Sequence, residues 1–384
     1  MVAPAPTTYA VITGGATSGH VVPALAIIEL LVEAGHPRET LMYVGSDRGV
    51  ETTLVPQTGI ACVFLGVDGL QRGVSVAKIK RNLRMLPIMM RATQLATQVL
   101  VQHRPRVVVS VGGYVSAPIC RAARHLKIPV VTCSYDSKPG MATKMQVKYA
   151  AAVAVAHMPS TLSGAQLTGA PVRAELRRLD RDASRATSRT ELGFSTSAKL
   201  VVVMGGSLGS AVLNSATESL MTQMDTPPLS NAAILHIAGL RYMDGQSLPS
   251  EIRRPDGSIM YQRIAYSNNM NDIYAAADLV VARAGASTVA EIATVGIASV
   301  LIPWKDAAEN HQLTNAKSLS DQGGAVLLEE SRLTDDVFTQ QIIELLTDDA
   351  KRLRISLAAR KIGDVHRNCS IASVIDAAAE TVVR

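Results

Sequence analysis

The sequence predicts an α/β protein of two tandem domains, each built on a parallel sheet, and three observations carry that prediction. The 384 residues are 47% apolar and 18% charged, too long for one ordinary core and too apolar for disorder. Apolar runs of strand length, each followed by a glycine-containing turn and an amphipathic stretch, recur along the chain as they do in parallel βα units. One interval, 173–198, interrupts the series with charge, Ser and Thr and no strand pattern.

In chain order the first series of strands is expected at 9–13, 41–44, 62–65, 107–111, 129–133 and 152–156. The second is expected at 200–204, 233–237, 259–263, 279–282, 299–303 and 325–328. These runs are apolar throughout rather than alternating, as strands buried on both faces must be. The tail over 349–384 reads as helix, with Leu353, Leu357, Ile362, Val365, Ile371, Val374 and Ile375 at three-to-four spacing. The domains are placed at 1–170 and 171–360, with 361–384 a terminal helix returning to the N-terminal domain. Two such domains suggest a ligand cleft between the carboxyl ends of the two sheets.

Composition removes several classes. No apolar run reaches the roughly 18–20 residues that span a bilayer, and M-V-A-P-A-P-T-T has no signal-peptide pattern. The expectation is therefore neither a secreted nor an integral membrane protein. The four cysteines follow no metal-ligand spacing, which suits a reducing compartment and calls for no structural metal. Three Phe and one Trp leave little for stacking bases, so no nucleic-acid partner is expected.

Three glycine loops follow buried-type strands and precede helices: T-G-G-A-T-S-G-H at 13–20, V-S-V-G-G-Y-V-S-A-P at 109–118 and M-G-G-S-L-G-S at 204–210. Glycine lets backbone approach an anion while the next helix aims its N–H groups and positive dipole end at it. Tight βα turns alone would also use glycine pairs, but three loops in equivalent positions favour phosphate. Neither a P-loop nor the G-x-G-x-x-G fingerprint is present. His20, where the first helix begins, is either a brace for the loop or a proton acceptor whose pKa the helix terminus holds down. Glu291, in R-A-G-A-S-T-V-A-E-I, is placed in the first turn of a helix starting at Ser287 or Thr288. Spacing favours a capping-box partner over a ribose-hydroxyl acceptor. In D-A-A-E-N-H-Q-L-T-N-A, His311, Gln312 and Asn315 either read sugar hydroxyls or form a solvated helix start.

These loops, together with the A-G-A-S-T-V-A-E-I and H-Q-L-T-N-A segments, resemble the MurG family from Tyr9 to about Gly324. That resemblance implies a GT-B fold of two Rossmann-like domains facing across a cleft. It also implies an inverting hexosyltransferase of peptidoglycan synthesis that moves GlcNAc from UDP-GlcNAc to the C4 hydroxyl of lipid-linked muramoyl-pentapeptide, lipid I giving lipid II. It implies His20 as the group assisting deprotonation, and acceptor-diphosphate contacts from Gly15, Gly112, Gly113 and Tyr114. Donor contacts are implied for Thr17, Ser18, Gly19, Arg173, Gly206, Ser207, Met270, Ser287, Thr288, Glu291, His311 and Gln312, with Glu291 on the ribose. No cofactor is implied, and no Asp-x-Asp motif marks a metal site.

One segment departs from the family. Where H-E-x-N is usual, this chain has Cys133, Ser134, Tyr135 and Asp136, and Asp136 either replaces the Asn as a sugar-hydroxyl acceptor or acts as a base. Three alternatives stay open: the lipid II-forming transferase, a related UDP-sugar enzyme (another lipid acceptor, or a UDP-GlcNAc epimerase), and a silent UDP-sugar-binding protein. Residues 78–91, K-I-K-R-N-L-R-M-L-P-I-M-M-R, carry Lys78, Lys80, Arg81, Arg84 and Arg91 with no acid. They read as an amphipathic helix for an anionic membrane surface or as an ordinary surface helix broken at Pro87. The family resemblance places such a protein peripherally on the cytoplasmic face of the plasma membrane. The net charge of +6 is concentrated there: from Gly69 to Tyr135 there are 11 Lys or Arg and no Asp or Glu, which leaves 27 basic against 32 acidic residues elsewhere.

Overall fold

The computed structural model describes residues 8–15, 17–67, 76–206, 208–243 and 249–381, with backbone alone over 76–86. The chain divides into two compact units: residues up to Ala174 together with those from Asn368 onward, and Glu175–Arg367.

The first unit holds β1 (Ala10–Thr13), β2 (Leu41–Ser46), β3 (Ala61–Leu65), β4 (Val107–Ser110), β5 (Val130–Ser134), β6 (Ala152–Val155) and β7 (Ala165–Leu167). Between them run α1 (Ser18–Glu33), α2 (Glu51–Gln57), α3 (Val76–His103), α4 (Ser116–His125) and α5 (Met141–Gln146). The strands are all parallel, in the order β3-β2-β1-β4-β5-β6-β7, with Ala10 paired to Leu41 on one side and to Val107 on the other. Winding therefore reverses between β1 and β4, and their following loops open side by side at the carboxyl edge, where ligands bind in such sheets. One face of this sheet buries Val11, Val44, Val108 and Val130 against Ala96, Leu100, Ile119 and Ala123 of α3 and α4.

The second unit begins with α6 (Ala174–Arg177) and α7 (Arg181–Glu191), the helices that occupy the strandless interval. Its strands are β8 (Lys199–Met204), β9 (Ala232–Ile237), β10 (Glu251–Arg253), β11 (Ile259–Ile264), β12 (Leu279–Ala282), β13 (Ser299–Leu301) and β14 (Val326–Leu327). Its remaining helices are α8 (Ala211–Met221), α9 (Met270–Ala276), α10 (Ala286–Val295), α11 (His311–Ser320), α12 (Asp335–Thr347), α13 (Asp349–Ile362) and α14 (Asp364–Arg367). The order β10-β11-β9-β8-β12-β13-β14 repeats the reversal, now between β8 and β12; only β10 is antiparallel. The acidic pairs at 335–336 and 348–349 serve as first-turn and capping residues of α12 and α13.

Three expectations need correction. The tail is not one helix: α13 stops before Gly363, where a Cβ would lie 2.1 Å from the Ala293 carbonyl oxygen, and after α14 a separate α15 (Ile371–Glu380) joins the first unit. Asp376 of α15 accepts the Tyr9 hydroxyl proton and lies 2.9 Å from His36 Nε2, and the Tyr9 and His36 rings stack at 3.7 Å. Pro87 does not end its helix, since α3 runs 28 residues through it. Two short strands, β7 and β10, escaped the pattern: three residues are too few to show a period. No helix among the described residues is long and apolar enough to cross a membrane.

The second unit is braced by a buried ion pair. Arg189 is fully buried, donates from Nε to the Ala276 carbonyl at 2.9 Å and from Nη1 to that of Thr196 at 3.0 Å, and meets Asp278 at 2.5 Å. Asp278 also accepts the Leu200 N–H at 2.8 Å, fixing β8 beside β12. Asp278 also pairs with Arg185 at 2.5 Å, so removing Arg189 leaves the carboxylate one cation and orphans the carbonyls that the guanidinium satisfied. Arg189→Met is expected to lower the unfolding free energy of this unit by about 1–3 kcal/mol, read as a fall in the urea midpoint by far-UV circular dichroism.

Candidate functional site

In the first unit the loops after β1 and β4 are in contact. Gly112 and Gly113 sit at φ +88° and +77°, and a Cβ on Gly113 would lie 3.0 Å from His20 Cδ2 and 3.3 Å from the Gly15 carbonyl. Only glycine supplies that backbone without crowding the imidazole. His20 is in the first turn of α1, whose N-cap Thr17 is exposed, with no side-chain cap bond; Ser18 is half-buried and Gly19 exposed. The first turn of a helix leaves backbone N–H groups for an anion. Tyr114 is half-buried against the α3–α4 core.

His20 is half-buried, and burial holds its pKa below 6.5, with the negative charges of Asp136 and Glu51 pulling it partly back. The imidazole is therefore neutral at pH 7 and free to accept a proton. Asp136, two residues past the end of β5, is also half-buried. The structure thus brings Gly15, Thr17, Ser18, Gly19, His20, Gly112, Gly113, Tyr114 and Asp136 to one sheet edge. It adds two residues that escaped notice in the sequence. Glu51 is fully buried, accepts the Ser46 N–H at 3.2 Å, and has an oxygen 2.3 Å from where a Gly15 Cβ would be. His157 lies beyond β6 in register with Asp136, since Ser134 pairs with Val155 two residues earlier on each strand; burial lowers its pKa and the Asp136 charge raises it. Neither belongs to a local motif, so no spacing signals them.

In the second unit the loop after β8 leaves Gly206 exposed at φ +81° with nothing within 4 Å of a built Cβ, an open backbone surface ahead of α8. Ser207 lies outside the described residues. Arg283, buried after β12, donates to Ser210 Oγ at 3.1 Å and to the Ile302 carbonyl at 3.2 Å and pairs with Glu330 at 2.5 Å. One guanidinium so ties the loops following β8, β12 and β13. α10 starts at Ala286, which makes Glu291 its sixth residue; the first turn has no acid and the N-cap is Gly285. The capping-box reading fails, because that box needs the acid at the third position, here Thr288. Instead Glu291 is half-buried and accepts the Tyr274 hydroxyl proton at 3.0 Å, which links α10 to α9, the helix that begins at Met270. Ser287 and Thr288 stand half-buried in the first turn of α10, and Ser287 Oγ finds no hydrogen-bond partner among the described residues.

His311 and Gln312 open α11 after Glu309 and Asn310, both at left-handed φ of +55° and +53°, a conformation costing roughly 1–2 kcal/mol in a non-glycine residue. His311 Nδ1 lies 2.8 Å from the Ala308 carbonyl, and Gln312 Oε1 accepts the Trp304 N–H at 3.0 Å. Asn315 does not read solutes: it is buried and donates to the Ala284 carbonyl at 3.3 Å. Arg173 falls in the first unit, one residue before its end at Ala174.

Comparison with known proteins agrees with this arrangement. Residues 10–155 match the glycosyltransferase family 28 N-terminal domain and residues 200–366 the glycosyltransferase family 28 C-terminal domain. The chain is 35% identical over 361 residues, 92% of its length and 91% of the relative's, to a UDP-N-acetylglucosamine--N-acetylmuramyl-(pentapeptide) pyrophosphoryl-undecaprenol N-acetylglucosamine transferase of Symbiobacterium thermophilum. It is 32% identical over 358 residues to the protein of the same name from Halalkalibacterium halodurans, covering 92% and 94%. Among solved structures it resembles the Acinetobacter baumannii MurG crystal structure with a TM-score of 0.69 at 25% identity, covering 97% and 100% of the two chains.

The site electrostatics make a direct prediction. The unfolded chain takes up the His20 proton at about 6.5 and the folded chain only at lower pH. This histidine therefore withdraws stability as pH falls from 6.5 through its folded value. An NMR titration of the His20 ring is expected to give a midpoint below 6.5, moving lower still in Asp136→Asn. A midpoint at or above 6.5, or one indifferent to that substitution, contradicts the assignment.

Proposed function

The chain belongs to glycosyltransferase family 28, and we propose that it is the N-acetylglucosaminyltransferase that converts lipid-linked muramoyl-pentapeptide to lipid II with UDP-GlcNAc as donor. The observation that carries this reading is full-length similarity, through both units, to relatives bearing that activity in their names.

The donor's diphosphate lies on the Gly206 loop and the first turn of α10, where Ser287 and Thr288 offer hydroxyls and helix N–H groups offer partial positive charge. Glu291, steadied by Tyr274, accepts the two ribose hydroxyls; Met270 covers the uracil; His311 and Gln312 meet the sugar, and Arg173, Thr17, Ser18 and Gly19 complete the donor contacts. Gly15, Gly112, Gly113 and Tyr114 receive the acceptor diphosphate. The acceptor hydroxyl attacks the anomeric carbon as the bond to the UDP oxygen breaks, with inversion, and its proton passes to the neutral imidazole of His20. Negative charge grows on the departing diphosphate, and preorganised N–H groups stabilise it. Asp136 keeps the proton-accepting side of the site electronegative in place of the family's Asn.

The lipid acceptor calls for a membrane-facing surface, which we place on α3 at the cytoplasmic face of the plasma membrane. The side chains of residues 78–86 lie outside the described residues; beyond them Met90 is 64% exposed, with Ile88 and Leu95 also at the surface. Apolar side chains beside a basic run suit shallow binding to anionic lipid.

Release of UDP from UDP-GlcNAc with and without lipid I tests the reading: release that depends on lipid I is expected. No release despite UDP binding would mark a silent binding protein, and production of the 2-epimer would mark an epimerase. Glu291→Ala is expected to weaken UDP about tenfold or more, about 1.4 kcal/mol, by calorimetry, with the fold intact by circular dichroism and a midpoint lowered only by the lost Tyr274 bond. His20→Ala is expected to abolish turnover and keep UDP affinity, whereas normal turnover would remove His20 as the proton acceptor.

A further inference from the structure

We propose that Gln146 is a positioning residue for the transfer: through Ser110 and Ser116 its carboxamide fixes the Gly112 N–H and the Gly113 carbonyl and thereby the seat of the His20 imidazole. The proposal rests on the assignment of that loop to the acceptor diphosphate.

Gln146 ends α5 and is 2% exposed. Its Oε1 accepts from Ser110 Oγ and from Thr132 Oγ1, each at 2.8 Å, and its Nε2 donates to Ser116 Oγ at 2.8 Å. Ser110, the last residue of β4, in turn accepts the Gly112 N–H at 3.2 Å, while Ser116, the first residue of α4, donates to the Gly113 carbonyl at 2.8 Å. Protons therefore run one way through two arms. Gly112 N–H gives to Ser110, which gives to Gln146; Gln146 gives to Ser116, which gives to Gly113. Each serine is donor and acceptor at once, so each bond polarises the next. Only a carboxamide, with an acceptor oxygen and a donor nitrogen in one plane, closes both arms.

The loop needs such an anchor. Two consecutive glycines in the left-handed region have more backbone freedom to lose than any other pair, and the His20 ring lies directly against them. The hub is surrounded by the apolar side of β4, β5 and α4, where Val108, Val130, Ile119 and Cys120 form the core. Apolar residues in place of these hydroxyls and the amide would suit that environment at no loss of burial. A polar cluster there acts on geometry: it specifies one conformation for a loop that would otherwise have several.

The test uses the full chain, UDP-GlcNAc and lipid I, and separates geometry from stability. Gln146→Leu orphans three buried hydroxyls and is expected to lower the thermal midpoint. The triple variant Ser110→Ala, Thr132→Val and Gln146→Leu removes most of those orphans, leaves the Gly112 N–H without its acceptor, and is expected to regain part of the midpoint. In both, the acceptor KM is expected to rise at least tenfold while the UDP-GlcNAc KM stays within twofold of wild type. An acceptor KM that recovers along with stability in the triple variant, or that never changes, overturns the proposal. Wild-type protein with no lipid I-dependent turnover would overturn the functional reading instead. In that event the His20 ring resonances and their response to inorganic pyrophosphate still decide: expected are shifted resonances and at least tenfold weaker pyrophosphate binding in the triple variant, and identity with wild type counts against Gln146.

Discussion

Parallel pairing of β1 with β4, and of β8 with β12, is the constraint on which the rest depends. Each pair is where the winding of its sheet reverses, so the chain leaves the two strands toward opposite faces and the following loops lie side by side at the carboxyl edge. The positive ends of α1 and α4, and of α8 and α10, then converge on one opening in each unit. Strand order by itself thus directs helix N-terminal N–H groups at each opening before any side chain is considered. Apolar strands buried on both faces, such as Val107–Ser110 and Leu279–Ala282, secure the order because no other arrangement buries them.

What strand order leaves open, buried polar groups decide. A glycine loop can take many shapes, and each loop here is tied from beneath by groups that carry a high cost if left unpaired. Glu51 lies under Gly15, the hydroxyl and amide cluster of Gln146 lies under Gly112 and Gly113, and Arg283 with Glu330 lies under the loops around Ser210. The same burial keeps His20 neutral beside an anion site. A charged imidazole there would have no capacity to take a proton, and it is burial that holds the ring neutral against the Asp136 and Glu51 charges.

The strands and loops that build both openings were legible in the sequence because each is a local signal: an apolar run, then glycine, then a helix start. A ribose contact for Glu291 is implied only by family resemblance. Spacing alone assigned Glu291 to a capping box, since the helix start was placed one or two residues late and the turn count followed it. Asn315 read as a solute contact because polarity says nothing of which helix face meets β12. Glu51, His157 and Gln146 were invisible for a different reason: each acquires its role from residues 14 to 36 positions away, Thr132, Ser110 and Ser116 for Gln146, Asp136 for His157 and Gly15 for Glu51, through sheet neighbours rather than chain neighbours. A trace of the Gln146 cluster was present all the same, in hydroxyls placed at the ends of otherwise apolar strands, Ser110 after three valines and Thr132 after two.

The residues around the end of β5 form one neighbourhood. Cys133, Ser134, Tyr135 and Asp136 stand at the end of β5, Thr132 precedes them, His157 continues the neighbouring strand, and Gln146 closes the helix that follows. A substitution that placed a carboxylate near His20 would, by itself, raise the imidazole pKa and weaken its claim to be neutral. Burial opposes that shift and prevails, which requires the surrounding loops to stay closed on the ring. A rigid Gly112–Gly113 segment is one way to hold them there. The end of β5 and the hydroxyl network beside it therefore bear on one neighbour: the Asp136 charge raises the His20 pKa against burial, and the Gln146 carboxamide is tied through Ser110 and Ser116 to the two glycines that pack on the ring.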